Sequence, residues 1–279
     1  MVIAFLSGKG GTGKTLFSVN LASLVKDSVY MDCDVEEPNG HLFLHPEILN
    51  QVPVNKIIPV FDPDLCVGCR QCVDFCRYNA LAFIHNQVHI EGSLCHGCGG
   101  CKIICEHQAV RETAHEIGHI DIGKSNKINT MTGWMNVIEE AATPIIEEMF
   151  DHVDKTKLVF ADCPPGASCS VMACIKNADY VVVVAEATLY GQENLKLILE
   201  LLTEFNSHYG IILNQSNTQD NPVKRYIMER NIPILGEVNY ELELAKRSSM
   251  GEIVSISKSR YHSMFKKFLY QILKEANYE

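Results

Sequence analysis

The chain has 279 residues, 47% hydrophobic and 21% charged, an ordinary globular composition that allows one large domain or two average ones. Its formal charge of −10 argues against non-specific nucleic-acid binding, which rests on Lys and Arg against phosphate. No basic leader opens the sequence and the longest apolar run, Tyr180 to Ala185, is only strand-sized, so a secreted or membrane-spanning chain is not expected. A cytoplasmic setting disfavours disulfides, so the 12 cysteines point to metal or redox chemistry.

Val2 to Leu6 reads as a short buried strand. Lys14 to Lys26 reads as a helix with Phe17, Leu21, Leu24 and Val25 on one face. Between them, Gly8-Lys9-Gly10-Gly11-Thr12-Gly13-Lys14-Thr15 fits the phosphate-loop pattern G-x4-G-K-[ST]. Glycines there let backbone N–H groups close around phosphates at a helix N-terminus. Lys14 is expected to reach the β- and γ-phosphates of ATP, and the Thr15 hydroxyl to ligate Mg²⁺. Ser28 to Asp32 is the next strand, followed by the acidic run Asp32-Cys33-Asp34-Val35-Glu36-Glu37.

After Asn55 to Val60 the composition changes. Cys66, Cys69, Cys72 and Cys76 form C-x2-C-x2-C-x3-C, and Cys95, Cys98, Cys101 and Cys105 repeat it. Gly68 matches Gly97, and Ala80 matches Ala109, so the segment is an internal duplication. Three close thiolates reach three corners of one cuboidal [4Fe–4S] cluster, and the fourth points to the other cluster. One cluster is therefore assigned to Cys66, Cys69, Cys72 and Cys105, and the other to Cys95, Cys98, Cys101 and Cys76. Zinc sites use pairs of pairs and need no third cysteine at this spacing. The residues after the fourth cysteines, Arg77 and Glu106, replace the proline frequent in bacterial ferredoxins. An insert of about 50 residues buries too little apolar surface to fold alone, so its metal would be linked to its folding.

His115-Glu116-Ile117-Gly118-His119 matches the zinc-protease pattern H-E-x-x-H, which needs a helix. Gly118 weakens a helix, and Gly118 to Gly123 and Ile128 to Val137 read as strands. Lys157 to Ala161, Asp179 to Ala185, Tyr209 to Leu213 and Ile232 to Gly236 are further strands. Glu193 to Phe205 is an amphipathic helix. The alternation predicts an α/β fold, a mostly parallel sheet flanked by helices, whose ligands sit at the carboxyl ends of its strands. The polar residues there are Asp32, Asp34, Asp162, Glu186 and Asn214. Asp162 heads Asp162-Cys163-Pro164-Pro165-Gly166, where the acid can hold Mg²⁺ through water and the Gly166 amide can sense a γ-phosphate. Cys33, Cys163 and Cys174 read as small buried hydrophobes. The C-terminal segment carries Phe265, Phe268, Leu269, Ile272 and Leu273 at helical spacing and is expected to pack on the domain.

With its early lysine, GKGGTGKT resembles the deviant Walker A loop of the MinD/ParA/Mrp/nitrogenase-iron-protein group. The whole chain resembles MinD-superfamily P-loop ATPases with an inserted two-cluster ferredoxin domain. The resemblance implies a nucleotide-binding domain over 1–60 and 113–279 and a ferredoxin-like α+β insert over 61–112. It implies that Lys9 crosses a dimer interface to the partner's nucleotide and that Asp34, in the first switch, orients or activates the attacking water. Asp162 and Gly166 become the second switch. Asn214 matches an adenine-contacting position, although the basic residue usual after it is Gln215 here. Cys169 stands where the nitrogenase-iron-protein branch carries a cluster-holding cysteine, which makes it a candidate redox residue. The function implied is ATP binding and hydrolysis in a nucleotide-dependent homodimer or related heterodimer, coupled to electron transfer through the two clusters to a redox partner protein. No nucleic acid or membrane partner is expected. An ATP-dependent cluster assembly or carrier protein, and a positioning ATPase of the MinD/ParA kind, are the alternatives.

Overall fold

The computed structural model describes residues 1–216, 221–256 and 260–278. In chain order the elements are β1 (Val2–Leu6), α1 (Lys14–Ala22), β2 (Val29–Asp32), α2 (His41–Leu44), β3 (Glu47–Phe61), α3 (Gln71–Phe75), β4 (Leu81–Ile84), β5 (Gln87–Ile90), α4 (Gly100–Ile103), β6 (Val110–Ser125), β7 (Ile128–Met135), α5 (Thr143–His152), β8 (Val159–Asp162), α6 (Cys169–Lys176), β9 (Tyr180–Glu186), α7 (Leu189–Glu204), β10 (Tyr209–Asn214), α8 (Pro222–Glu229), β11 (Ile234–Glu237), α9 (Leu242–Ser249) and α10 (Arg260–Glu275).

Nine strands form one sheet in the order β11-β10-β9-β1-β8-β2-β7-β6-β3. From β11 to β7 every pairing is parallel; β6 and β3 join antiparallel at the edge. The central strands are apolar up to the acids at their carboxyl ends because both faces are covered. Side chains alternate across a strand, so Val2, Ala4 and Leu6 enter the core on one face while Ile3 and Phe5 enter the core on the other. α10 closes the second core: Phe265 and Phe268 pack their rings on Phe17 of α1, and Ile272 is buried beside them. The expected α/β architecture is thus found, with the C-terminal helix packed on the domain.

Several boundaries differ from the sequence reading. α1 ends at Ala22 and not Lys26, because Leu24 and Val25 N–H groups turn to i−3 carbonyls and Asp27 takes a left-handed φ of 60° into β2. α7 starts at Leu189 and not Glu193, because the Thr188 hydroxyl caps it by accepting from Gly191 N–H at 3.0 Å. β3 and β6 are longer than expected and pair from Glu47 to Phe61, beyond the point where β7 stops. They project from the sheet edge as a two-stranded arm, and the duplicated cysteine segment sits at its end. H-E-x-x-H lies within β6, so no helix places its histidines for zinc. The register slips between Val54 and Asn55, leaving Ile117 as a bulge.

A Cβ at Gly118 would lie 2.0 Å from the Trp134 carbonyl oxygen, a backbone atom that cannot step aside. Gly118→Ala is expected to destabilise the fold by about 1–3 kcal/mol. Thermal melting should fall by several degrees, whereas Gly10→Ala, with open space around it, should leave the melt unchanged.

Candidate functional site

The loop after β1 wraps into the start of α1. Gly11 and Gly13 adopt φ of 78° and 96°, a region that L side chains avoid, and Gly13 is the N-cap of α1. A cleft of about 500 Å³ opens over this loop, lined by Gly11, Gly13, Lys14, Thr15, Asp34, Asn39 and Pro165. The two acidic loops frame it as the strand order requires, since β2 and β8 are neighbours and β1 pairs β8.

Lys14 is buried and pairs with Asp162 at 2.6 Å. Burial alone would lower the lysine pKa; the Asp162 carboxylate outweighs it and holds Lys14 above its ordinary range. The Tyr30 hydroxyl donates to the other Asp162 oxygen at 3.0 Å. Asp32 lies close by and accepts backbone N–H bonds from Gly40 at 2.8 Å and Asn39 at 3.1 Å, which folds the acidic loop back on its strand. Burial, then repulsion from Asp162, raises the Asp32 pKa. Tyr30 was not anticipated. It reads as one more apolar strand residue until β8 places Asp162 against it.

The segments that follow β2 and β8 are tied to the loop and to one another. Gly166 N–H donates to Ser7 O at 2.9 Å, and Cys33 N–H donates to Asp162 O at 2.8 Å. Lys9 forms an ion pair with Glu186, at the carboxyl end of β9 of the same chain. Asn214 is buried, and its amide donates to Thr12 O at 2.7 Å, bracing the loop from β10. The Thr12 hydroxyl is buried without a partner. Such an orphaned donor, with the paired lysine and the open glycine loop, suits an anionic ligand rich in acceptor oxygens. Cys33, Cys163 and Cys174 are fully buried, and burial pushes their thiols up, as suits inert core residues. Cys169 is exposed at the first position of α6.

In the cysteine-rich segment the duplication extends to the backbone. Gly68 and Gly97 share left-handed φ of 72° and 65°, and so do Arg70 and Gly99 at 66° and 68°. Cys76 N–H bonds to Val73 O as Cys105 N–H bonds to Lys102 O, whereas Cys66 N–H reaches back four residues to Asp62 O and Cys95 N–H only three, to Gly92 O. Two mostly apolar pockets result. One is lined by Cys66, Cys69, Cys72 and Cys105. The other is lined by Cys76, Cys95, Cys98 and Cys101, and Cys72 lines it as well as the first. Backbone N–H groups of Gly97 and Ala109 point at Cys95 and Cys105 sulfurs, at 3.5 and 3.4 Å. Burial raises the Cys72 thiol and pushes Cys101 up to about 11, so a thiolate here needs a compensating cation. Among the described residues, no three His, Cys, Asp or Glu side chains converge closely enough for a single metal ion.

The phosphate loop on a parallel sheet, with acids at the ends of the flanking strands, defines a P-loop nucleotide-binding protein. Residues 3–254 match the CobQ/CobB/MinD/ParA nucleotide-binding domain. The chain belongs to that family. It is 30% identical to the uncharacterised protein MJ0578 of Methanocaldococcus jannaschii over 99% of its own length and 97% of that protein's. In fold it is similar to the septum site-determining protein MinD of Pyrococcus horikoshii, solved with Mg-ADP, at a TM-score of 0.61 and 15% identity over 99% and 96% of the two chains. The cell division ATPase MinD of Pyrococcus furiosus gives 0.60 and 16%, over 98% of each.

Burial pushes the Asp34 carboxyl up to about 6, with Lys14 pulling it down and Asp162, Glu36 and Glu37 adding repulsion. Its folded pKa lies above the unfolded value, so ionised Asp34 destabilises the fold. That cost is absent below about pH 4 and complete above about pH 6. Asp34→Asn should therefore stabilise the ligand-free protein at pH 8 by about 1 kcal/mol after allowance for solvent screening, or about 2–4 °C. The gain should shrink in melts recorded towards pH 5.

Proposed function

We propose that the chain is an ATP-operated switch of the MinD/ParA type whose nucleotide state governs an iron–sulfur insert. One observation carries the nucleotide half: Lys14, buried on Asp162 beneath an open glycine loop, has both candidate switches hydrogen-bonded around it. Lys14 exchanges Asp162 for the β- and γ-phosphates of the bound substrate, and the freed Asp162, with Thr15, would hold Mg²⁺. The loop glycines and Thr12 enclose the phosphates, and Asn214 braces the loop below the base. Asp34 orients and activates the attacking water as a carboxylate. Lys9 leaves Glu186 for the nucleotide of a second subunit, and Gly166 exchanges Ser7 O for the γ-phosphate. The dimer is thereby linked to the nucleotide.

For the insert, the donor sets fit the assignment made from spacing. Each pocket is ringed by one motif's first three cysteines and the other motif's fourth, with Cys72 lining both. A cuboidal cluster spreads its thiolates further apart than a single ion does, which suits sulfurs that surround a pocket without converging. Cys66, Cys69, Cys72 and Cys105 would hold one [4Fe–4S] cluster, and Cys76, Cys95, Cys98 and Cys101 the other; when bound, they supply one-electron redox chemistry towards a partner protein. The domain limits follow: residues 61–112 as the insert, 1–60 and 113–279 as the nucleotide domain. Cys169, exposed beside the second switch, is the remaining candidate redox thiol.

A second reading, a positioning ATPase in which nucleotide sets surface binding, is favoured by the fold likeness to MinD over nearly the whole chain. It leaves the two cysteine-ringed pockets without a purpose. The apolar face of α10 is also occupied against α1, and among the described residues no helix is long and apolar enough to cross a membrane.

Anaerobic purification should yield about eight iron and eight sulfide per chain, and Cys69→Ser should lose about half. ATP hydrolysis should show an acid limb near pH 6, and Asp34→Asn should lower the rate about 10²-fold or more with iron retained. Partner-dependent reoxidation of the reduced protein should differ between ATP and ADP. Zinc in place of iron would overturn the cluster assignment. Reoxidation indifferent to nucleotide, with hydrolysis intact, would favour the positioning reading.

A further inference from the structure

The arm that carries the insert is clamped at one point by three charged or titratable side chains. Lys56 of β3 and His115 of β6 face each other directly across the antiparallel ladder. Glu139, from the loop after β7, holds both: Lys56 Nζ at 2.6 Å and His115 Nε2 at 2.7 Å. The Lys56 and Glu139 side chains are 4% and 7% exposed, so this is a buried ion pair and not a solvated one. Burial alone would raise the Glu139 pKa; bonds from Lys56 and His115 outweigh it and keep the carboxyl below its ordinary range. A lone charge here would be costly, which makes the three groups move together.

Each end of the cluster leads somewhere specific. On the insert side, Lys56 Nζ also donates to Ser93 O at 3.4 Å, and the His115 ring lies against Gly92. Gly92 and Ser93 open the second cysteine motif, and Cys95 N–H bonds back to Gly92 O at 3.1 Å. On the nucleotide side, Glu139 N–H donates to Asn136 O, and Asn136 N–H donates to the carbonyl of Ile117, the bulged residue of β6. The neighbouring residue, Met135, donates its N–H at 3.0 Å to the carbonyl of Val35, which follows Asp34. Val35 also packs on Gly133, where even a Cβ would lie 2.6 Å from it. The connecting residue Ile138 sits at a φ of 87° and is 79% exposed. A β-branched residue keeps that backbone only where its neighbours impose it, and Glu139 next to it is the anchored one.

We propose that Lys56, Glu139 and His115 form a strut that carries the nucleotide-dependent movement of the first switch, through Val35, Met135 and Asn136, to the Gly92–Cys101 loop of the insert. The proposal rests on the nucleotide-switch reading above and adds how the switch reaches the insert. The path uses backbone hydrogen bonds at one end and a buried ion pair at the other. Both are stiff and short-ranged, so a shift of the acidic loop is passed along and not absorbed. Its three side chains are positioning residues; none touches the nucleotide loop.

The test is hydrogen exchange by mass spectrometry on the anaerobically purified full chain, with ADP and with a non-hydrolysable ATP analogue. In the unmodified protein, exchange over 8–16, 33–39 and 92–101 should differ between the two nucleotides. At 92–101 the difference should be about 2- to 30-fold, the range of coupling such networks carry. Glu139→Gln should erase the difference at 92–101 and leave it intact at 8–16 and 33–39. Asn136→Pro removes the backbone N–H that reaches Ile117 O and so breaks the path at its other end with the ion pair untouched; it should give the same loss and covers the case in which Glu139→Gln fails to fold. A merely structural role would change exchange at 92–101 equally with both nucleotides. Persistence of the difference in either folded variant, or its absence in the unmodified protein while 8–16 responds, overturns the strut. No response at 8–16 in the unmodified protein overturns the nucleotide reading itself, and the strut with it.

Discussion

The Lys14–Asp162 pair is the point on which the rest of the molecule turns. It lies in the centre of the sheet, where β1 and β8 run side by side, with both partners almost wholly buried. A buried charge pair is weak evidence for stability, because desolvation offsets much of the attraction. Its value is different. Neither partner can leave without leaving the other charge unmatched, so a ligand that takes over Lys14 must also bring something for Asp162. A phosphate with a divalent cation supplies both. The same pair fixes Tyr30 through its hydroxyl, and its two charges act in opposite directions on the buried Asp32 carboxyl and on Asp34, so one substitution of partners is felt by both acids after β2.

The parallel sheet makes that central pair visible to both edges. On one side Glu186 at the end of β9 holds Lys9, and Asn214 at the end of β10 holds the loop carbonyl of Thr12. On the other side Val35 hands a carbonyl to the last residue of β7, and the sheet turns antiparallel and lengthens into the arm. The cysteine-rich segment is therefore neither a separate bead on a linker nor part of the α/β core. It is held out from the core on two continuous strands, and the bulge at Ile117 sits where that ribbon leaves the sheet. Continuous strands transmit displacement better than a loop would, since their hydrogen-bond ladder has few soft dihedrals.

The stability of the cysteine-rich segment has a different origin. Its helices are single turns, its one hairpin is four residues a side, and several of its large apolar side chains, Val67, Phe75 and Ile103 among them, are exposed. Such a segment lacks a core of ordinary size. What organises it is the repeated backbone pattern, with left-handed residues at matching places in both halves.

Much was legible in the sequence because the signals are local. The phosphate loop, the alternation of apolar strands with helices and the duplicated cysteine spacing each depend on residues within a dozen positions of one another. Backbone sterics and side-chain period act at that range. Fold class, the acids at the strand ends, the strand character of H-E-x-x-H and the packed C-terminal helix followed from them. Only the tertiary structure decided what depends on strands adjacent in space but distant in the chain: that Tyr30 meets Asp162, that Lys9 rests on Glu186, that β3 and β6 run on as an arm, and that Glu139 bridges Lys56 and His115. Tyr30, Lys56 and Glu139 carry no pattern of their own, and the patterns that hold Lys9, Asp162 and His115 do not name these partners. Their meaning comes from the order of strands in the sheet, which is set by burial over the whole domain and which no short window of sequence contains.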